Sequence, residues 1–376
     1  MFKKLIPILL IIFITTPNVC ALNAGSVSAE CAVVISAQTG KVIYEKNAYE
    51  KHSMASTTKI MTSLLAVESG MLPNEIIVSK DMLNVEGTSM GLQAGDSVSL
   101  EELVYGMLLQ SGNDAANVTA IYLSGSADKF AELMNARAKQ IGMTNTHFVT
   151  PSGLDNEEHY STAYDMALLG REAVKNRKFL SICSRKNAVL TYGNPPYKRT
   201  LSNHNRMLSY YDDALGIKTG FTKKSGRCLV SYAVKDGVGL VAVTLNDPND
   251  WYDHKLMLDY GFESVKPEKI AISIPYEINV VGGEKASVCV KSTSFFADST
   301  DSKTVIQRTY IDKFVYAPVK TGTVVGHTDI YSDSKLVGTV AITAAESVDS
   351  NAAAIPQVKK EQSFLKRMIE KIKERF

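Results

Sequence analysis

Apolar positions along the chain change period in a way that divides it into segments. Ala32 to Ser36 and Lys41 to Glu45 are short β-branched runs separated by Gln38-Thr39-Gly40, the pattern of a hairpin. Ile60, Leu64, Leu65 and Val67 then recur at helical spacing, which predicts a helix opened by Ser56 and running to Ser69. Ser99 with Glu102 forms a capping box for a helix over Leu100 to Leu109 that stops at Ser111-Gly112. Asn113 to Leu123 and Ala127 to Ile141 predict two more helices, the second ended by Gly142. Strand-like runs return at Ile217 to Thr219, Arg227 to Val234 and Leu240 to Leu245, with Lys235-Asp236-Gly237 as a turn, and Trp251 to Tyr260 predicts a closing helix. Strands at both ends of a helical block bury their apolar faces by meeting in one antiparallel sheet, so residues 30–263 predict an α+β domain.

From Val265 short β-rich segments follow at close intervals: Ile270 to Ile274, Ile278 to Val281, Ala286 to Val290, Arg308 to Val315 and Leu336 to Ala341. They predict a separate small all-β, sandwich-like domain over 264–345. Small, polar, turn-rich residues in Ala344 to Pro356 predict a linker, set at 346–361. In 362–376, Phe364, Leu365, Met368, Ile369, Ile372 and Phe376 share one helical face, and Lys366, Arg367, Glu370, Lys373 and Glu374 fall mostly on the other. That pattern predicts an amphipathic helix lying on a membrane surface, or packing on its own protein.

At the other end, Lys3 and Lys4 precede an apolar run from Leu5 to Ile14 and then small residues, the order of a secretory signal peptide over 1–29. Cleavage after Ala21, Ala24 or Ala29 fits equally. The composition of the whole 376-residue chain, 45% apolar and 21% charged with a net charge of +2, is that of an ordinary globular protein and gives no ground for a nucleic-acid partner. Cys31, Cys183, Cys228 and Cys289 have no metal or redox spacing and read as small buried hydrophobes. The six histidines show no ligand spacing either, and no cofactor is expected.

The chemistry lies in Ser56-Thr57-Thr58-Lys59. A serine is a weak nucleophile unless a proton acceptor stands beside it, and a lysine one helical turn away can serve once burial lowers its pKa. The tetrapeptide pattern alone is weak, because it recurs at Ser126/Lys129, Ser332/Lys335 and Ser363/Lys366. Two further motifs decide in its favour: Ser111-Gly112-Asn113 after the second helix, and Lys218-Thr219-Gly220 ahead of paired strands. A second Lys-Thr-Gly, at Lys320 to Gly322, sits inside the all-β segment and has the wrong context.

This motif set, with Asp114-Ala115-Ala116, Gly142 to Phe148, Pro151 to Leu154, His159 to Ala163 and Leu258 to Phe262, resembles the low-molecular-mass penicillin-binding proteins that act as D-alanyl-D-alanine carboxypeptidases, serine peptidases of the S11 type. The resemblance covers about residues 30 to 345. It implies a serine β-lactamase/transpeptidase-like catalytic domain, a peptidoglycan stem peptide ending in D-Ala-D-Ala as substrate, and β-lactam antibiotics as covalent inhibitors, on the outer face of the cytoplasmic membrane. It further implies Ser56 as nucleophile, Lys59 as the leading base, and Ser111 sharing the proton relay with Lys59 and Lys218. The backbone N–H groups of Ser56 and Phe221 would form the oxyanion hole, Asn113 would hold the substrate amide, and Lys218 and Thr219 would receive its carboxylate beside Gly220.

One departure stands out. Many relatives carry an arginine just before the helix ending Leu258-Asp-Tyr-Gly-Phe262, where it assists carboxylate binding, and this chain has Asn249-Asp250-Trp251 there. Carboxylate recognition then leans on Lys218 and Thr219, or on Arg206 or Arg227. A DD-endopeptidase, a β-lactamase and a non-catalytic wall-binding protein are the competing expectations. The first shares every motif. The β-lactamase needs a deacylating Glu, and Glu132-Leu-Met-Asn135 is one residue short of the Glu-x-x-x-Asn spacing. A non-catalytic binder would tolerate motif decay, of which there is none.

Overall fold

The computed structural model describes residues 26–351 except 266, 299–304 and 333–334. Most of the signal segment, the later part of the linker and the C-terminal helix expected over 362–376 lie outside the described residues. These fall into two units, one ending at Pro267 and the other beginning at Glu268.

The first unit mixes helix and sheet. Strands β1 (Cys31–Ser36) and β2 (Val42–Lys46) form the predicted hairpin. After a single 3₁₀ turn, Ala55–Thr58, come helix α1 (Lys59–Glu68), the short strands β3 (Glu75–Ile77) and β4 (Ser97–Ser99), and helices α2 (Leu100–Leu109), α3 (Asn113–Ser124) and α4 (Ala127–Ile141). Helices α5 (Ala163–Lys175) and α6 (Arg177–Cys183), the hairpin β5 (Asn187–Gly193) and β6 (Pro196–Ser202), and the single turn α7 (Met207–Tyr210) precede the long strands β7 (Ala214–Thr222), β8 (Gly226–Lys235) and β9 (Val238–Leu245). Helix α8 (Asp250–Ser264) closes the unit.

The five-stranded sheet runs β2-β1-β9-β8-β7 with every pairing antiparallel, so the N-terminal hairpin completes a sheet begun two hundred residues later. Its central strand β9 is buried along its whole length. One face packs on the helical block through Val33, Ile35, Val230, Val241 and Val243, and the other on α8 through Val34, Leu229, Leu240 and Ala242 with Met257 and Leu258. Strand β7, which carries the Lys-Thr-Gly motif, is left as an edge, where an extended peptide can add itself.

Local signals explain the helix ends. Ser99 and Glu102 make the reciprocal capping box, Gly142 ends α4 in a left-handed conformation, and Thr162 caps α5 by accepting from Asp165 N. Two expectations need correction. Ser56 does not open an α-helix but sits in the 3₁₀ turn before it, since Ala55 is left-handed at φ 47° and bends the chain sharply into Lys59. Residues 27–29, assigned to the signal segment, belong to the folded unit: Val27 and Ala29 are buried against the sheet, and Ser28 donates from N and Oγ to Asp253. The four cysteines named above are all free thiols, three of them buried.

The second unit holds β10 (Pro267–Ile270), β11 (Glu277–Val281), β12 (Ser287–Ser292), β13 (Phe295–Asp298), β14 (Val305–Ile311), β15 (Phe314–Tyr316), β16 (Val324–Ser332) and β17 (Lys335–Ala344). Six of these form a sheet ordered β14-β16-β17-β12-β11-β15, antiparallel but for the β11–β15 pair, while β10 and β13 make a ribbon. The run expected as one strand over 308–315 is two strands broken at Asp312-Lys313, and Ile270 to Ile274 is strand only at its start. The linker does not begin at 346. Val348 is buried in the core of this unit and bridges Val319, because its apolar side chain packs among Val280, Val319 and Ala344 in that core. Among the described residues no helix is long and apolar enough to cross a membrane.

Candidate active site

The 3₁₀ turn Ala55–Thr58 presents Ser56 at the mouth of a cleft of about 380 Å³ whose lining also includes Ser111, Thr219, Gly220 and Phe221. Strand β7 comes so close to this turn that a side chain on Gly220 would stand 3.0 Å from Met54 O, Ser56 N and Thr57 N. Glycine at that position is therefore a condition for the nucleophile and the strand edge to meet. Ser111, between α2 and α3, is held left-handed at φ 61°, and its carbonyl accepts from Thr88 Oγ1 at 2.6 Å. Non-glycine residues in this region store on the order of 1–3 kcal/mol each and cluster at sites of function. Ala55 and Ser111, one on each side of the cleft, are two such residues.

Lys59, Asn113 and Lys218 lie behind the cleft wall. Lys59 Nζ, fully buried, is 2.8 Å from Ser56 Oγ, 2.7 Å from Asn113 Oδ1 and 2.7 Å from Ser152 O. The Asn113 amide is oriented by its other end, since Nδ2 donates to Glu86 O at 2.6 Å. Burial first, then the charge of nearby Lys218, push the Lys59 pKa well below the ordinary value of 10.5, against a smaller opposing pull from Asp114. Burial alone takes Lys218 down to about 7. Its Nζ donates to Thr219 O at 2.9 Å, which holds it along its own strand.

These distances fix which way a proton can move. Oδ1 of Asn113 and the carbonyl of Ser152 can only accept. A neutral Lys59 amine has two N–H bonds and one lone pair; if the N–H bonds go to those two oxygens, the lone pair faces Ser56 Oγ, the one partner with a proton to give. The arrangement suits general-base activation of a hydroxyl.

Sequence reasoning named Asp114, Gly153 and His159 only within stretches that carry the resemblance, and did not anticipate the frame they build around this cluster. The loop 86–92 is clamped by Asp114, whose buried carboxylate accepts from Met90 N, Gly91 N, Leu92 N and Ser89 Oγ at 2.6–3.1 Å. The β5–β6 hairpin presses on the same loop through Tyr192 Oη to Met90 O and Arg199 Nη1 to Gly91 O. On the opposite side Gly153 is left-handed, and a Cβ there would fall 1.9 Å from Ala55 O. His159 orients Thr58: its Nδ1 accepts from Val149 N, so Nε2 carries the proton and donates to Thr58 Oγ1 at 2.8 Å. Burial lowers its pKa to about 4, which keeps it neutral.

The rival matches have ordinary local roles. Ser126 caps α4 by accepting from Lys129 N, and Ser332 and Lys335 are opposed in the β16–β17 hairpin. Ser363 and Lys366 lie outside the described residues. Lys320 is exposed in a turn of the second unit. Asn135 clasps the backbone of Phe148 through both amide atoms and Glu132 is exposed on α4, so neither is placed to deacylate anything. Arg206 and Arg227, which the sequence could not place, both line the cleft.

Residues 18–249 match the family described as D-alanyl-D-alanine carboxypeptidase, and residues 272–350 match the C-terminal domain of penicillin-binding protein 5. The D-alanyl-D-alanine carboxypeptidase DacC of Escherichia coli is 32% identical over 354 residues, spanning 87% of this chain and 86% of that protein. DacF of Bacillus subtilis is 36% identical over 220 residues, which is 57% of this chain and 56% of DacF. Among solved structures, the carboxypeptidase DacD of Francisella tularensis aligns over 86% of this chain and 94% of its own at 29% identity, with a TM-score of 0.60. Penicillin-binding protein 5 of Haemophilus influenzae aligns over 86% and 98% at 26% identity, with a TM-score of 0.61.

Proposed function

We propose, for a chain that belongs to the D-alanyl-D-alanine carboxypeptidase family of serine peptidases, that it removes the terminal D-alanine from peptidoglycan stem pentapeptides through an acyl-Ser56 intermediate. The observation that carries this is the buried Lys59 amine 2.8 Å from Ser56 Oγ, with both of its other neighbours able only to accept. Lys59 takes the Ser56 proton as Oγ attacks the carbonyl carbon of the penultimate D-alanine. The oxyanion is received by the N–H groups of Ser56 and Phe221, each such donor being worth about 3 kcal/mol. The proton then passes to the leaving nitrogen, with Ser111 in the relay, and D-alanine departs. Water hydrolyses the ester by the same route in reverse, which releases the shortened peptide and restores Ser56.

In this mechanism the substrate lies along the free edge of β7, with its amide on Asn113 and its carboxylate at Lys218 and Thr219. A β-lactam, whose strained amide takes the place of the scissile bond, acylates Ser56 and stays. Export by the N-terminal segment and attachment by the basic amphipathic face of 362–376 would hold the enzyme at the outer face of the cytoplasmic membrane, where nascent wall lies. Incubation with a pentapeptide ending in D-Ala-D-Ala should release free D-alanine, and Ser56→Ala should abolish it. No release from the folded wild type overturns the assignment.

A further inference from the structure

The first residue of α8 is an acid, Asp250, and a cation from the sheet meets it. Asp250, at the N-terminus of α8, is buried, and both its oxygens accept from Arg227 Nη2, at 2.7 and 2.8 Å. Arg227 comes from β8; its side chain is 42% exposed, and it lines the cleft that also contains Ser56, Thr219, Phe221 and Trp251. Its guanidinium lies over the Trp251 ring, 5.4 Å from the centroid.

The strand register says what it can reach. Phe221 pairs with Arg227 and Thr219 with Leu229, so Thr219 and Arg227 are diagonal neighbours on one face of the sheet. Such neighbours are about 7–8 Å apart at the backbone, within the span of an arginine. Asp250 engages only Nη2, and among the described residues the N–H bonds of Nη1 and Nε meet no acceptor. Arg206 also lines the cleft, but among the described residues no side-chain partner fixes its guanidinium.

We infer that Arg227, oriented by Asp250, is the residue that selects a free C-terminal carboxylate on the substrate. This rests on the carboxypeptidase function proposed above and names the recognition element for it. The cation is supplied by the strand, and the acid on the helix acts as its positioning residue. Since Asp250 offsets much of the net charge, recognition depends on the planar fork of donors rather than on charge alone, and lysine cannot substitute.

The test compares two peptides, one ending in D-Ala-D-Ala and the same peptide with a C-terminal amide, by kcat and KM for release of the last residue. Arg227→Gln should lose about 10- to 100-fold in kcat/KM on the acid, the range for one charged hydrogen-bonding group, and stay within about twofold on the amide. Arg227→Lys should not restore the acid rate. Asp250→Asn should lose in the same direction, and the double variant R227Q/D250N should be no worse than Arg227→Gln, because Asp250 acts through Arg227. The double variant leaves no lone buried charge, so it carries the test if Arg227→Gln fails to fold. Equal losses on acid and amide, an unchanged acid rate, or a collapse of discrimination in Arg206→Gln instead would overturn the inference. A wild type that releases nothing from either peptide overturns the carboxypeptidase function itself.

Discussion

The amine of Lys59 stands 2.8 Å from the hydroxyl of Ser56 in a setting where its other two partners are carbonyl oxygens, so the direction of proton transfer is set by what those partners lack. A lysine in water would be protonated and useless as a base. Burial and the second lysine, Lys218, depress its pKa, which favours the neutral amine that can act as base.

The acylation rate should therefore lose activity on the acid side through a group whose apparent pKa is well below 10.5. The sign follows from the base: the neutral amine reacts, so activity is present above that pKa and lost as pH falls through it. Stopped-flow acylation by a chromogenic β-lactam across pH 5–11 measures it. Asn113→Asp, which puts a carboxylate on Lys59 in place of an amide oxygen, should move this limb to higher pH. A limb near the free-lysine value in the wild type would remove Lys59 as base.

Lys218 should be a liability for stability. Its pKa falls to about 7 in the folded chain, against about 10.4 for a free lysine, so the unfolded state binds more protons between those values and wild-type stability rises with pH across that window. Lys218→Met removes the buried amine. It should abolish turnover yet raise the melting temperature at pH 6 by about 5 °C, equivalent to ~2 kcal/mol at ~2–4 °C per kcal/mol for a domain of this size. The difference should shrink toward pH 10. Calorimetry that finds the variant less stable at pH 6 contradicts the assigned cost.

Gly153 and Gly125 are both left-handed, and only the first is crowded. A Cβ on Gly153 would meet Ala55 O at 1.9 Å, whereas nothing lies within 4 Å of one on Gly125. Gly153→Ala should cost about 10²-fold in acylation rate, the scale for a displacement of ~1 Å at a reacting group. Gly125→Ala, with comparable backbone strain, should leave the rate within about twofold and lower stability alone. Equal rates for the two variants would show that the turn carrying Ser56 is not held by Gly153.

What the sequence disclosed follows from how local each signal is. The capping box of Ser99 with Glu102, the stop at Gly142 and the motif residues from Ser56 to Phe221 each announce themselves within a few positions, and of the motif residues Ser56, Ser111, Thr219, Gly220 and Phe221 line one cleft. The antiparallel joining of β1 to β9 was legible because the apolar strands on both sides of the helices had no other place to bury. Helix α5 was missed although Thr162 and Asp165 mark its cap and Met166, Leu169 and Ala173 its buried face. The hairpin β5–β6 was also missed, with Asn194-Pro195 at its turn as the available sign. No sequence signal points to Glu86 or Thr88, which act through a backbone oxygen and a single hydroxyl in a loop brought in from elsewhere, and Ser152, inside the Pro151 to Leu154 stretch that carries the resemblance, acts through a backbone carbonyl that its side chain does not announce. The sequence named Arg227 only as an alternative to Arg206, because what sets it apart is a partner 23 residues away that only the fold brings to it.

The central claim is that Ser56 becomes acylated. Intact-mass and peptide-mapping mass spectrometry after exposure to benzylpenicillin tests it directly. The account predicts one penicilloyl adduct, on the peptide containing Ser56, absent from Ser56→Ala and slowed by about 10²–10⁴-fold in Lys59→Ala, the range for a lost general base. An adduct on the peptide containing Ser126, Ser332 or Ser363, or labelling that survives Ser56→Ala, would contradict it.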